Sequence, residues 1–152
     1  MPQVFIILGS ESDRDYFSGI EQYFSYFGIA HELVVCSAHR EPARLRALLA
    51  DAEARGNEVI IAGAGMAAHL AGACAAHTIL PVIGVPLPGS SLDGLDALLS
   101  TVQMPAGVPV ATMALGRAGA VNAAVLAAQI VARKSEEVAD RLRTFKQKGC
   151  RL

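Results

Sequence analysis

The stretch "EVIIAGAGMAAHL" (Glu58–Leu70) decides the fold. Its first half is a β-branched apolar run with no polar residue at alternate positions. That composition suits a strand covered on both faces, the habit of parallel sheets. Its second half turns abruptly to Gly, Ala and one His, then runs on into an Ala-rich helix. Four further runs share the apolar character: "VFIIL" (Val4–Leu8), "HELVV" (His31–Val35), "PVIGVP" (Pro81–Pro86) and "VPVATMAL" (Val108–Leu115).

Helical spacing fills the intervals. Asp13 to Phe27 places Phe17, Ile20, Tyr23, Phe24 and Phe27 on one face, with Gly28 as a stop. Pro42 to Arg55, Ala67 to His77, Leu92 to Val102, the Ala-rich Ala118 to Arg133 and the amphipathic Glu136 to Lys148 complete the set. Pro near helix starts and Gly past helix ends is the expected asymmetry. The order βαβαβαβαβα predicts an α/β, three-layer αβα sandwich around a parallel five-stranded sheet. The Ala-rich helix is expected tightly against the sheet or at a subunit interface.

Composition narrows the function. A chain of 152 residues is expected to form one domain, residues 1–152, with a real core. Its content is 53% hydrophobic and 18% charged, which predicts that some apolar surface is buried between subunits. The net charge of −1, without a basic run and without Trp, argues against nucleic-acid binding. Cys36, Cys74 and Cys150 have no metal-ligand spacing and read as reduced cytoplasmic thiols. No secretory leader is read at the N-terminus, and no apolar stretch suits a membrane span.

In parallel sheets ligands bind where the strands end and helices begin. Here those positions carry "GSESD" (Gly9–Asp13), "SAHR" (Ser37–Arg40), "GAGMAAHL" (Gly63–Leu70) and "PLPGSSLDG" (Pro86–Gly94). All are rich in Gly, Ser or charge. The opposite edge carries the ordinary turns "GIAH" and "RGNE". Ser10 and Ser12 precede a helix and suit an anion, but taken alone the stretch reads first as a helix cap made by Ser12 or Asp13. "GAGMAAHL" is not a dinucleotide fingerprint, because Ala68 takes the place of its third glycine. Its glycines let backbone approach a small ring.

His39 and Arg40 carry the sharpest chemistry. A guanidinium fork suits phosphate or carboxylate, and histidine is the ordinary acid–base group near neutral pH. The competing reading is a surface loop in which Arg40 pairs with Glu41. His69 is an intermediate case, with a supporting donor role. His31 and His77 read as structural or solvated, Cys36 and Cys74 as core, and Asp93 and Asp96 as a cap or solvated face.

Together "GSESD", "SAHR", "AGAGMAAHL", "PVIGVP", "SLDGLDALLSTVQMPAGVPVAT" and "AGAVNAAVLAAQI" closely resemble the 5-(carboxyamino)imidazole ribonucleotide mutases of purine biosynthesis, from Val4 to about Val131. The resemblance implies a flavodoxin-like fold, a homo-octamer and no cofactor or metal. It implies carboxylate transfer from the exocyclic nitrogen of an aminoimidazole ribonucleotide to a ring carbon. By motif, Ser10, Ser12 and Asp13 bind substrate, Asp13 through the ribose hydroxyls. Ser37 and Arg40 hold the phosphate and His39 is the catalytic acid–base. Gly63, Ala64, Gly65, His69 and Leu70 line the pocket for base and carboxylate. It further implies a cytoplasmic enzyme that follows an ATP-dependent carboxyaminoimidazole ribonucleotide synthase. The last helix, about 135–148, is then expected to pack on neighbouring subunits.

The chain departs from the pattern at Met66, Ala71 and Glu41, where the family commonly has glycine, proline and threonine. A second branch of the family carboxylates the aminoimidazole ribonucleotide directly with carbon dioxide. It tends to carry lysine after the histidine and to lack "AAHL". Arg40 and "AAHL" (Ala67–Leu70) point to the mutase branch. A non-enzymatic flavodoxin-like domain is the remaining alternative. A signalling receiver would want an aspartate after the third strand, where this chain has "AGAG".

Overall fold

A computed structural model describes residues 3–152 of the chain. Met1 and Pro2, which the one-domain expectation includes, lie outside the described residues. Five strands form one parallel sheet: β1 (Val4–Leu8), β2 (His31–Val35), β3 (Val59–Gly65), β4 (Val82–Leu87) and β5 (Ala111–Thr112). Their order is β2-β1-β3-β4-β5. Strand β1 shows why the apolar runs have no period. Val4, Ile6 and Leu8 enter one hydrophobic cluster and Phe5 and Ile7 the other, so both faces of β1 are dry.

Among the described residues seven α-helices flank the sheet: α1 (Arg14–Phe17), α2 (Glu21–Phe27), α3 (Pro42–Ala54), α4 (Leu70–His77), α5 (Leu95–Val102), α6 (Gly116–Val131) and α7 (Glu136–Gln147). The first cluster gathers the aromatic face of α1 and α2 with alanines of α6. The second gathers Leu45, Leu49 and Ala52 of α3 with Leu70, Ala71 and Cys74 of α4. Ala120, Ala123, Ala124, Ala127 and Ala128 of α6 are all buried, so the alanine bias serves close packing within the chain. On that side α7 lies outside α2 and α6, burying Val138, Leu142 and Phe145. There Arg141 Nη1 donates to the Tyr26 carbonyl at 3.0 Å.

Four elements differ from the periodic reading. The helix expected over Asp13 to Phe27 is two helices separated at Ser18–Ile20. The Ser18 hydroxyl donates to the Asp15 carbonyl at 3.0 Å, and Gly19 follows, so the ladder is interrupted. β5 is two residues long rather than eight. Pro109 has no N–H to donate to the ladder, and β5 is an edge. The helices expected from Ala67 and Leu92 begin at Leu70 and Leu95. Asp93 and Gly94, both at positive φ, make the turn into the second of these.

No described helix is long and apolar enough to cross a membrane. Cys36 and Cys74 are buried in one cluster, and burial pushes the Cys74 thiol up to about 12.

Candidate active site

Parallel pairing brings four strand ends to one edge, and they open on a single cleft of about 710 Å³. After β1 come Gly9, Ser10, Ser12 and Asp13, with Tyr16 one turn further on. After β2 come Ser37, Ala38, His39 and Arg40. The end of β3 and the entry to α4 supply Ala64, Gly65, Met66, Ala67, His69 and Leu70. After β4 come Pro88, Gly89 and Ser90.

Every expected site residue is in this lining except Gly63. Gly63 instead forms the layer beneath. Its carbonyl accepts from the Gly9 amide at 3.0 Å, and a Cβ there would stand 2.6 Å from the Phe17 ring. Its lack of a side chain lets Phe17 pack under the cleft.

The loop after β2 is closed by its own serine. The Ser37 hydroxyl accepts from the Arg40 amide at 3.2 Å, and the Ser37 carbonyl accepts from the Glu41 amide at 2.9 Å. The hydroxyl hydrogen stays free to donate. Pro42 then starts α3, where a missing N–H costs nothing. This turn holds His39 and Arg40 outward. Glu41 pairs with Arg44 at 2.9 Å and not with Arg40. Among the described residues Arg40 makes no ion pair, so its guanidinium is available to an anion.

His39 Nε2 lies 2.7 Å from His69 Nδ1, with the rings edge to face at 88°. One of the two nitrogens must carry the hydrogen of that bond and the other accept it. His69 itself immediately precedes α4, where its carbonyl accepts from Ala73 at 2.9 Å. Next to it the Ala68 amide donates to Ser100 Oγ at 2.9 Å, tying this turn to α5.

Across the cleft the Asp13 carboxylate accepts from the Ser10 amide at 2.9 Å, which bears out the capping reading of Asp13. Burial holds its carboxyl above the usual range, partly offset by that amide. The Ser10 and Ser12 hydroxyls lie 3.1 Å apart. The wall therefore offers hydroxyls and one carboxylate, suited to a polyol.

Sequence reasoning gives no site role to Tyr16 or Ser90. Tyr16 follows Asp13 by one helical turn, which is a readable signal. Its hydroxyl donates to the Pro88 carbonyl at 3.4 Å, joining the first and fourth loops. Ser90 lies inside a loop read as functional. Its hydroxyl donates to Asp96 Oδ1 at 2.7 Å and accepts from the Leu92 amide at 3.1 Å, so Asp96 braces the loop. No group of three or more His, Cys, Asp or Glu among the described residues could hold a metal ion.

The family model described as AIR carboxylase matches residues 3–151. An N5-carboxyaminoimidazole ribonucleotide mutase of Saccharolobus solfataricus is 52% identical over 147 residues, 97% of this chain and 92% of that protein. One of Pseudomonas aeruginosa is 54% identical over 143 residues, 94% of this chain and 88% of that protein. The crystal structure of Treponema denticola PurE superposes with a TM-score of 0.88 at 28% identity, covering 99% of this chain and 92% of that one.

Proposed function

The chain belongs to the AIR carboxylase family, and from that premise we propose that it is the mutase of de novo purine biosynthesis. It converts 5-carboxyamino-1-(5-phosphoribosyl)imidazole to 5-amino-1-(5-phosphoribosyl)imidazole-4-carboxylate. The observation that carries this reading is the cleft, where an acid–base pair, a free guanidinium and a hydroxyl-rich wall meet a floor of small residues. The free-carbon-dioxide carboxylase is not favoured, given relatives at about half identity that bear the mutase name.

In this proposal Arg40 and Ser37 hold the phosphate and Asp13 the ribose, with Ser10 and Ser12 beside it. The ring faces Ala64, Gly65 and the turn up to Leu70. His39, as imidazolium, protonates the carbamate nitrogen. The C–N bond then breaks, its electron pair staying on nitrogen, and carbon dioxide is released. Small residues leave room for carbon dioxide beside the ring carbon, which attacks it. Neutral His39 finally removes the proton from that carbon, restoring aromaticity and its own starting charge. The bond to His69 orients the His39 ring through both steps. No cofactor or metal enters these steps. The carbamate is supplied by an ATP-dependent carboxylation of the amine, and the reaction belongs in the cytoplasm.

The test follows the carboxylate. Substrate carrying heavy carbon in its carbamate is turned over with unlabelled bicarbonate and carbonic anhydrase present. Early product keeps most of the label, because recapture in a confined site outpaces escape. Product whose carboxylate matches the dissolved pool overturns the mutase reading in favour of the carboxylase.

We also propose a homo-oligomer, an octamer, of one catalytic domain per chain, with α7 near neighbouring subunits. Leu92, Leu95, Leu99 and Val102 support it, since they are 60%, 54%, 48% and 47% exposed and recur along one face of α5 and the turn before it. Such a stripe is apolar surface a soluble monomer seldom leaves uncovered. Sedimentation finds the assembly at micromolar concentration, and a monomer there contradicts it.

A further inference from the structure

Three non-glycine residues among those described hold a positive φ: Met66, Asp93 and Cys150. Asp93 is a short polar residue of the kind that tolerates this conformation, and Cys150 is exposed, outside every helix and strand and away from the cleft lining. Met66, at φ 55, has a long apolar side chain in a region that favours glycine. Packing among the described residues does little to offset that strain, because Met66 is 66% exposed. Both flanks of the turn are fastened. Gly65 pairs with Leu87 in the sheet, and Ala68 is bound to Ser100. The strained residue is therefore held, and its side chain stands on the cleft lining beside Ala64, Gly65 and Ala67. Among these consecutive small residues it is the one bulky apolar group.

Strain that survives at a ligand site without internal packing marks a contact made to the ligand. We propose that Met66 is a specificity-determining residue whose thioether closes over the heteroaromatic ring of the bound nucleotide. The identity of that ring rests on the function proposed above. An unbranched thioether adapts to a planar ring and makes favourable sulfur–aromatic contact. The phosphate and ribose are held elsewhere, by Arg40 and Asp13, so the contact discriminates on the ring alone.

The experiment compares wild type with Met66→Gly, Met66→Ala and Met66→Leu. It measures KM and kcat for the carbamate, calorimetric binding of the product nucleotide, inhibition by ribose 5-phosphate, and thermal melting. Met66→Gly and Met66→Ala raise KM and weaken product binding about tenfold, because they remove the apolar cover over the ring together with the smaller sulfur–aromatic contribution. Met66→Leu, which keeps the apolar bulk, stays within about threefold of wild type. Ribose 5-phosphate, which has no ring, inhibits all four proteins equally. Met66→Gly melts at or above the wild-type temperature, because glycine takes this φ without strain.

Unchanged KM and product binding in Met66→Gly, with an active wild type, overturn the Met66 assignment alone. Equal losses for ribose 5-phosphate and nucleotide also overturn it, since the side chain would then act on the whole site. A lower melting temperature with a smaller assembly in Met66→Gly overturns it in favour of a contact between copies of the chain. Wild-type protein that neither turns over the carbamate nor binds the product nucleotide overturns the function reading and this inference together.

Discussion

Replacing His39 by Asn lowers turnover of the carbamate by roughly 10²–10⁴-fold, the range expected when a positioned acid–base group is removed. The fold survives, because His39 is exposed and sits on a turn closed by Ser37 rather than by its own ring. Affinity for the nucleotide survives as well, since the proposed anchors Arg40, Ser37 and Asp13 remain. The size of the effect reflects a double use of one group. His39 gives a proton to nitrogen and later takes one from carbon, and asparagine does neither. Arg40→Ala produces the converse pattern, a loss concentrated in binding, with preference for the nucleotide over its dephosphorylated nucleoside reduced. Turnover, calorimetric binding and circular dichroism on the two variants separate these cases. His39→Asn activity within a fewfold of wild type would identify another proton carrier, and His69, at 2.7 Å, is the group in place to be it.

Gly119→Ala costs roughly 3 kcal/mol, the top of the range for overpacking a core. Gly119 is buried in the first turn of α6, and a methyl group there would overlap the Ala114 carbonyl oxygen and stand 3.2 Å from Val85 Cγ1. The obstacle on one side is backbone, which has no alternative rotamer. Either the start of α6 lifts off β4 or the Ala114 peptide turns. For a chain of this size the melting temperature falls by about 10 °C. Gly63→Ala meets the Phe17 ring instead, a side chain with more freedom to yield, so its loss is smaller. A Gly119→Ala protein that melts within about 2 °C of wild type would mean that the peptide before α6 moves freely.

The sheet is legible in the sequence because burial on both faces leaves a mark in composition. Val4–Leu8 contributes to both hydrophobic clusters in turn, and a run without polar residues is what that requires. The loops at the carboxyl edge are legible for a related reason. Backbone that must approach a ligand is built from Gly, Ser and charge, and in the order β2-β1-β3-β4-β5 these loops share one edge. His39 and Arg40 are adjacent in the chain, so the sequence by itself suggests their joint role. The break at Ser18–Ile20 is hidden, because the aromatic spacing on either side continues as if one helix ran through.

What belongs to the tertiary structure alone is contact between distant segments. His39 and His69 are 30 residues apart, and β1 lies between the strands that carry them. Their bond exists because both loops lean over the end of β1, a matter of strand order and loop height that no local pattern encodes. Tyr16 reaches Pro88 across 72 residues in the same way. Gly63 shows the limit from the other side. Its place in a glycine-rich loop suggests the pocket, but pleating turns its vacant Cβ position toward Phe17. Met66 reads in the sequence as one apolar residue among alanines, and only the backbone shows that it is held at positive φ. Residue types and their order therefore set the layers and the chemical groups available. Which of those groups meet is decided by the packing that fixes the four loops relative to one another.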